Sequence, residues 1–357
     1  MQPAHTSKRA FETQPISPSS LKRPKLEPDI DTLEVPVSGP IPGPVGPGRW
    51  LGSRDHQFWY SDGNIVIRLE GVLFKLHRSR LERYCTTFCE LFATKPDGDE
   101  TIDGCPAYEA PPELSLQGFK DVLAVLEEPL IYANRRPSQL EAISVLRASE
   151  TLQCWQPSRL AKTWLSELWD ANAIPSADRS DAHSVQDAIL MVQLSRTFDI
   201  PGVLKRALYE LVSSQDFWDT FAKDRPSIAL AEEDLTLLLA ARIALAEMWQ
   251  DFVFDVPSTN KGGRSLCLSG LGFKKHGPCS RSLEGGRMAS WAGSVLRGGH
   301  LKSGARDPLR YNVVERGKED LKLMWCDACL QEKEVEWKAK RVEWWGELDK
   351  VFKLERV

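Results

Sequence analysis

The most constraining stretch of the chain is residues 62–92, DGNIVIRLEGVLFKLHRSRLERYCTTFCELF, where the apolar period changes abruptly. Ile65, Ile67 and Leu69 alternate with Val66, Arg68 and Glu70, the period of two expected of a strand with distinct faces. Val72, Phe74 and Leu76 resume the alternation after Glu70-Gly71, a two-residue connection in which glycine tolerates positive φ. The pattern predicts a β-hairpin with Phe74 turned inward. After His77 the spacing becomes three and four: Leu81, Cys85, Phe88, Leu91 and Phe92 would line one helix face packed on the hairpin. Strand, turn, strand, helix is therefore the expected order.

That order, carrying Phe74-x-x-His77-Arg78-x-x-x-Leu81 and then Phe88-x-x-x-Phe92, with Asp62-Gly63 ahead of the first strand, resembles a BTB/POZ domain of the fungal type. The resemblance covers roughly residues 55–170. It implies an α+β fold, a small sheet with helical hairpins, and a role in dimerisation or as an adaptor. Such modules serve transcriptional regulators or act as substrate receptors for cullin-type ubiquitin ligases, and either role fits. Asn64, Gly71, Phe74, His77, Arg78, Leu81, Phe88 and Phe92 are the residues that carry the likeness. Many BTB domains have, where Asn64 stands, an aspartate that helps form a charged pocket at the dimer interface. The hydrophobic-x-Glu element associated with cullin binding has no convincing copy around Ala93–Glu100.

Beyond the first helix, residues 95–112 are polar and proline-punctuated and read as a loop leading to a short strand at Glu113–Leu116. A helix over 117–127 follows, with Phe119, Val122, Leu123 and Leu126 on its apolar face. Ser138-x-x-Glu141 is a capping box for the next helix, and Pro157 opens another bearing Leu160, Ala161, Trp164, Leu165 and Leu168. A helical extension over 181–255 is expected next: Ser184-x-x-Asp187 caps one helix, Asp199-Ile200-Pro201 ends it, and Val203, Ala207 and Leu211 line its successor. Apolar residues recur three, seven and eleven positions after both Pro157 and Pro201, suggesting stacked helical hairpins. Residues 232–252 give a long helix with Leu235, Leu238, Leu245, Trp249 and Phe252 on its buried side.

The ends of the chain have a different character. Residues 1–54 are rich in Pro, Ser and Gly, cannot bury enough apolar surface to offset ordering, and are expected to be a disordered tail. Within them Lys8-Arg9 and Lys22-Arg23-Pro24-Lys25 stand twelve residues apart, as in a bipartite nuclear-import signal; the plainer reading is solvated charge. No run of eighteen apolar residues and no signal-peptide core occurs, so a nuclear or cytoplasmic chain without membrane contact is expected. From 258 to 318 there are twelve Gly and twelve Lys or Arg against three Asp or Glu. The span 256–318 reads as a basic loop, either plainly solvated or tracking a nucleic-acid backbone by counterion release.

Eight cysteines without a secretory signal are better read as buried thiols or metal ligands than as a disulfide framework, and Cys85 and Cys89 read as core filler. Cys326-x-x-Cys329, opening a Trp-bearing helix within 319–357, is the sharpest chemical pattern. Two thiolates at that spacing can share a tetrahedral zinc, with Cys267 and Cys279 completing the set; buried thiols and a redox dithiol are the competing readings. No cofactor is otherwise called for. No nucleophile elbow, Walker loop or His-Glu-x-x-His pattern appears, and the expected protein is non-enzymatic, with protein partners.

Overall fold

The computed structural model describes residues 52–94, 101–128, 132, 135–200, 202–257, 284–323 and 325–354. Its fold is α+β, with a five-stranded sheet and fourteen α-helices among these residues. β2 (Ile65–Leu69) and β3 (Val72–Leu76) form the predicted antiparallel hairpin, Ile67 opposite Phe74. Glu70 and Gly71 have φ of 50° and 76°, so both central turn residues are left-handed, the condition that matches a tight turn to the twist of its strands.

Three strands were not legible. β1 (Ser53–Trp59) begins inside the expected tail and runs parallel to β3, and β5 (Cys105–Glu109) lies in the expected loop, parallel to β2. β4 (Thr101–Ile102) pairs antiparallel with β5, giving the order β1-β3-β2-β5-β4. The strand expected at Glu113–Leu116 is instead a turn leading into a helix. Parallel neighbours must be joined by a crossover. Here α1 (Arg78–Tyr84) and α2 (Thr86–Ala93) lie on the β3-to-β5 connection; the single helix expected through Phe92 is broken in two at Cys85, whose backbone is extended.

One sheet face carries Ile65, Ile67, Leu69, Phe74 and Leu76 against Leu81, Phe88 and Phe119, all within the main core. Phe74 meets Phe119 edge-on at 5.0 Å, and Phe88 stacks on Phe92 at 5.5 Å. The other face holds a small cluster of Val66, Leu73, Cys105 and Ala107, flanked by the ion pairs Arg68–Glu109 and Lys75–Asp103.

α3 (Leu116–Glu127) follows Ser115, whose hydroxyl accepts from Gly118 N. α4 (Gln139–Thr151) starts on the capping box: Glu141 N donates to Ser138 Oγ and Ser138 N to Glu141 Oε2. It pairs with α5 (Trp155–Leu168) as one hairpin, and α6 (Val185–Phe198) with α7 (Leu204–Ser213) as a second. α8 (Gln215–Lys223) and α9 (Glu232–Phe254) follow. The segment read as a basic loop is helical over its described half: α10 (Glu284–Arg297), α11 (His300–Arg306) and α12 (Val313–Arg316). Trp291, Val295, Leu309 and Val313, each fully buried, outweigh the glycines there. α13 (Lys318–Lys322) and α14 (Asp327–Val351) complete the chain. A single hydrophobic cluster runs from Phe58 to Phe352 within one compact unit, Leu51–Val357.

Candidate functional site

Asn64, His77 and Arg78 meet at the hairpin-to-helix junction. Asn64 Oδ1 accepts from Arg78 N at 2.8 Å, satisfying an amide that α1 leaves open, so Asn64, just ahead of β2, works as a helix cap from outside the helix. Arg78 pairs with Glu82 at 2.8 Å, donates to Phe92 O and lies over the Phe92 ring. His77 stacks on Tyr60 and places Nε2 3.2 Å from Asp62 Oδ2; that hydrogen bond lowers the pKa of the Asp62 carboxyl. Leu81, Phe74, Phe88 and Phe92 are buried beneath, and Gly71 sits at the exposed turn. The junction is a structural joint: each polar group is engaged locally, and Asn64 presents no carboxylate.

The cysteines divide differently from the sequence reading. Cys85 is not a free core thiol. It is bonded to Cys154 across 69 residues, while Cys89 is exposed. A helical period cannot show a partner so far along the chain. Cys326 caps α14 and Cys329 lies fully buried in its first turn, 3.9 Å from Arg287 Nη2. Cys267 and Cys279 lie outside the described residues, and among the described residues no three His, Cys, Asp or Glu come together as a metal site. Lys8, Arg9, Lys22, Arg23 and Lys25 also lie outside them.

A site that sequence reasoning missed joins the two helical regions. Arg310, after α11, forms a bidentate pair with Glu210 of α7 at 2.6 and 3.1 Å, both side chains nearly excluded from water. Arg206 reaches the same Glu210 at 2.8 Å and Asp181 at 2.9 Å. Tyr209 donates to Asp307 Oδ1 at 2.5 Å, and Arg179 pairs with Asp307 Oδ2 at 2.9 Å. Burial disfavours the charged guanidinium of Arg310, yet the Glu210 hydrogen bonds and the nearby Asp307 outweigh it and raise its pKa. Burial first, and Asp307 second, push the Tyr209 phenol well above its ordinary value. An open cleft of about 780 Å³ lies over this network, lined by His183, Ser213, Arg306, Asp307, Arg310 and Arg316 among others. Glu210 and Arg310 are 100 positions apart, and only the charged residues on otherwise apolar helices hint at them.

Large apolar side chains stand exposed on helical faces. Trp155 at the start of α5 is 60% exposed, and Leu239 and Ile243, one turn apart on α9, are 43% and 60% exposed. No described helix is long and apolar enough to cross a membrane. No family model, curated protein or solved structure matches the chain.

Proposed function

We propose that the chain is a non-enzymatic protein-interaction protein, a BTB/POZ-like module with an all-helical extension, acting by dimerisation or as an adaptor. One observation carries the reading: a sheet that contains the predicted hairpin, a helical hairpin α4–α5 that keeps Trp155 in water, and a later helix α9 that does the same with Leu239 and Ile243. Exposed apolar side chains grouped on a helix face cost solvation unless a partner covers them. The role in transcriptional regulation or cullin-type ubiquitination, and the nuclear placement through Lys8, Arg9, Lys22, Arg23 and Lys25, belong to the same proposal.

Nucleic-acid binding by the basic 258–318 segment is the weaker reading, because two of its arginines serve inside the fold. Arg310 is held by Glu210, and Arg287 donates to Pro257 O and packs over Trp325. Sedimentation equilibrium of the full chain tests the main reading. Self-association at micromolar concentration, little altered by salt, is expected; a monomer throughout defeats dimerisation. Steeply salt-dependent retention of DNA or RNA would favour the other reading.

A further inference from the structure

We propose that Cys85–Cys154 is a reversible redox centre, served by a groove that receives a small thiol or disulfide bearing carboxylates, of the glutathione class. The disulfide joins two helix starts. Cys85 is the N-cap of α2 and Cys154 the N-cap of α5, and neither cap residue gives its helix a side-chain hydrogen bond. The positive end of the helix dipole favours an anion at such a position, so a thiolate released at either cysteine is stabilised as a leaving group.

The second observation is a route to the bond. An open groove of about 690 Å³ runs along one face of α5, and Cys154 forms part of its wall together with Trp155, Ser158, Arg159 and Lys162. Arg159 is exposed, and Lys162 is paired at 3.0 Å with Glu150, which also lines the groove, so the groove offers the Arg159 guanidinium and a partly neutralised lysine beside an aromatic platform. That is the chemistry of a carboxylated thiol peptide. Cys154 itself is fully buried, and its neighbour Gln153 holds a φ of 52°. A non-glycine residue in the left-handed region is strained, which makes this turn the natural place for local opening. Across to α2 it is held by two long backbone bonds, Thr86 N to Gln153 O and Thr87 N to Leu152 O, each 3.4 Å, and by Thr87 Oγ1 to Thr151 O at 3.3 Å, while within the turn Gln153 N donates to Glu150 O at 3.1 Å and Cys154 N to Ser149 O at 2.7 Å.

An external thiolate attacks Cys154 Sγ, the Cys154–Cys85 bond breaks, and Cys85 leaves as a thiolate at the start of α2. A second external thiolate attacks the bound external sulfur, releasing the Cys154 thiolate and an oxidised small disulfide. The two protons of the external thiols end on Cys85 and Cys154, and two electrons pass to the protein; oxidation is the reverse.

Full-length protein equilibrated in glutathione buffers of graded redox ratio, followed by differential alkylation and mass spectrometry, reads the centre directly. The expected result is a reversible, native-state conversion of Cys85 and Cys154 together. Replacing Arg159 and Lys162 by Ala should slow reduction by glutathione roughly tenfold, through lost attraction of the carboxylates, and leave reduction by neutral 2-mercaptoethanol unchanged. Three results overturn the proposal: both cysteines alkylated at every ratio, a disulfide that opens only in denaturant, or equal slowing with both thiols. In wild type alone, exchange with glutathione no faster than with 2-mercaptoethanol at equal thiolate concentration removes the groove from the mechanism.

Discussion

Adding one methyl group at Gly304 sets two effects of opposite sign against each other. Gly304 lies within α11, where alanine is favoured over glycine by about 1 kcal/mol. The methyl would occupy space already filled by the Trp249 indole: it would overlap Cε2 and Cζ2 and lie 2.6 Å from Nε1. Trp249 has little room to retreat. It is fully buried, with Phe252, Tyr311 and Trp344 centred 5.4, 5.6 and 6.4 Å away, and its Nε1 donates to His300 O at 3.2 Å. Overpacking at such a site costs about 3 kcal/mol, and loss of the indole hydrogen bond about 1 kcal/mol more. With the propensity gain returned, Gly304→Ala should destabilise the protein by about 3 kcal/mol. Gly346, in the exposed middle of α14 with nothing within 4 Å of an added Cβ, is the control. Gly346→Ala should stabilise by up to about 1 kcal/mol. Urea unfolding followed by circular dichroism measures both. A Gly304→Ala variant as stable as wild type would refute the close approach of α11 to Trp249.

Phe74→Ala, at a fully buried ring packed on Phe119, should cost about 3–5 kcal/mol in the same assay; a small change would remove Phe74 from the core. Arg310→Ala leaves buried Glu210 with Arg206 as its remaining guanidinium partner and should cost about 3 kcal/mol, whereas the double variant Arg310→Ala with Arg206→Ala, which strips both from Glu210, should cost clearly more. If the single and double variants melt alike, Glu210 is not desolvated. Glu141 has its pKa lowered from 4.5 to about 2 by the Arg135 side chain and then by the Ser138 amide. A depressed carboxylate stabilises the fold above its unfolded pKa and loses that contribution as pH falls through the folded value. The melting-temperature gap between wild type and Glu141→Gln should therefore be constant above about pH 5 and shrink towards pH 2; a gap independent of pH contradicts it.

Local interactions made part of this protein legible in one dimension. The change from period two to period three or four at His77, the Glu70-Gly71 turn and the capping box at Ser138 depend on residues a few positions apart, and they appear where the sequence puts them. The same is true of the helices over 116–127 and 232–254, whose apolar faces were readable from spacing alone. What tertiary structure decided is non-local. β1 and β5 are strands because β3 and β2 present unsatisfied edges to them, and a parallel partner leaves no turn signal nearby. Glycines that argued for a loop at 284–316 are tolerated in helices because Trp291 and Leu309 are buried by distant α9 and α14, and Gly304 is needed there by Trp249. The Cys85–Cys154 bond and the Glu210–Arg310 pair close 69 and 100 residues of chain, distances over which neither charge nor thiol chemistry leaves a pattern in sequence until folding brings the partners within reach.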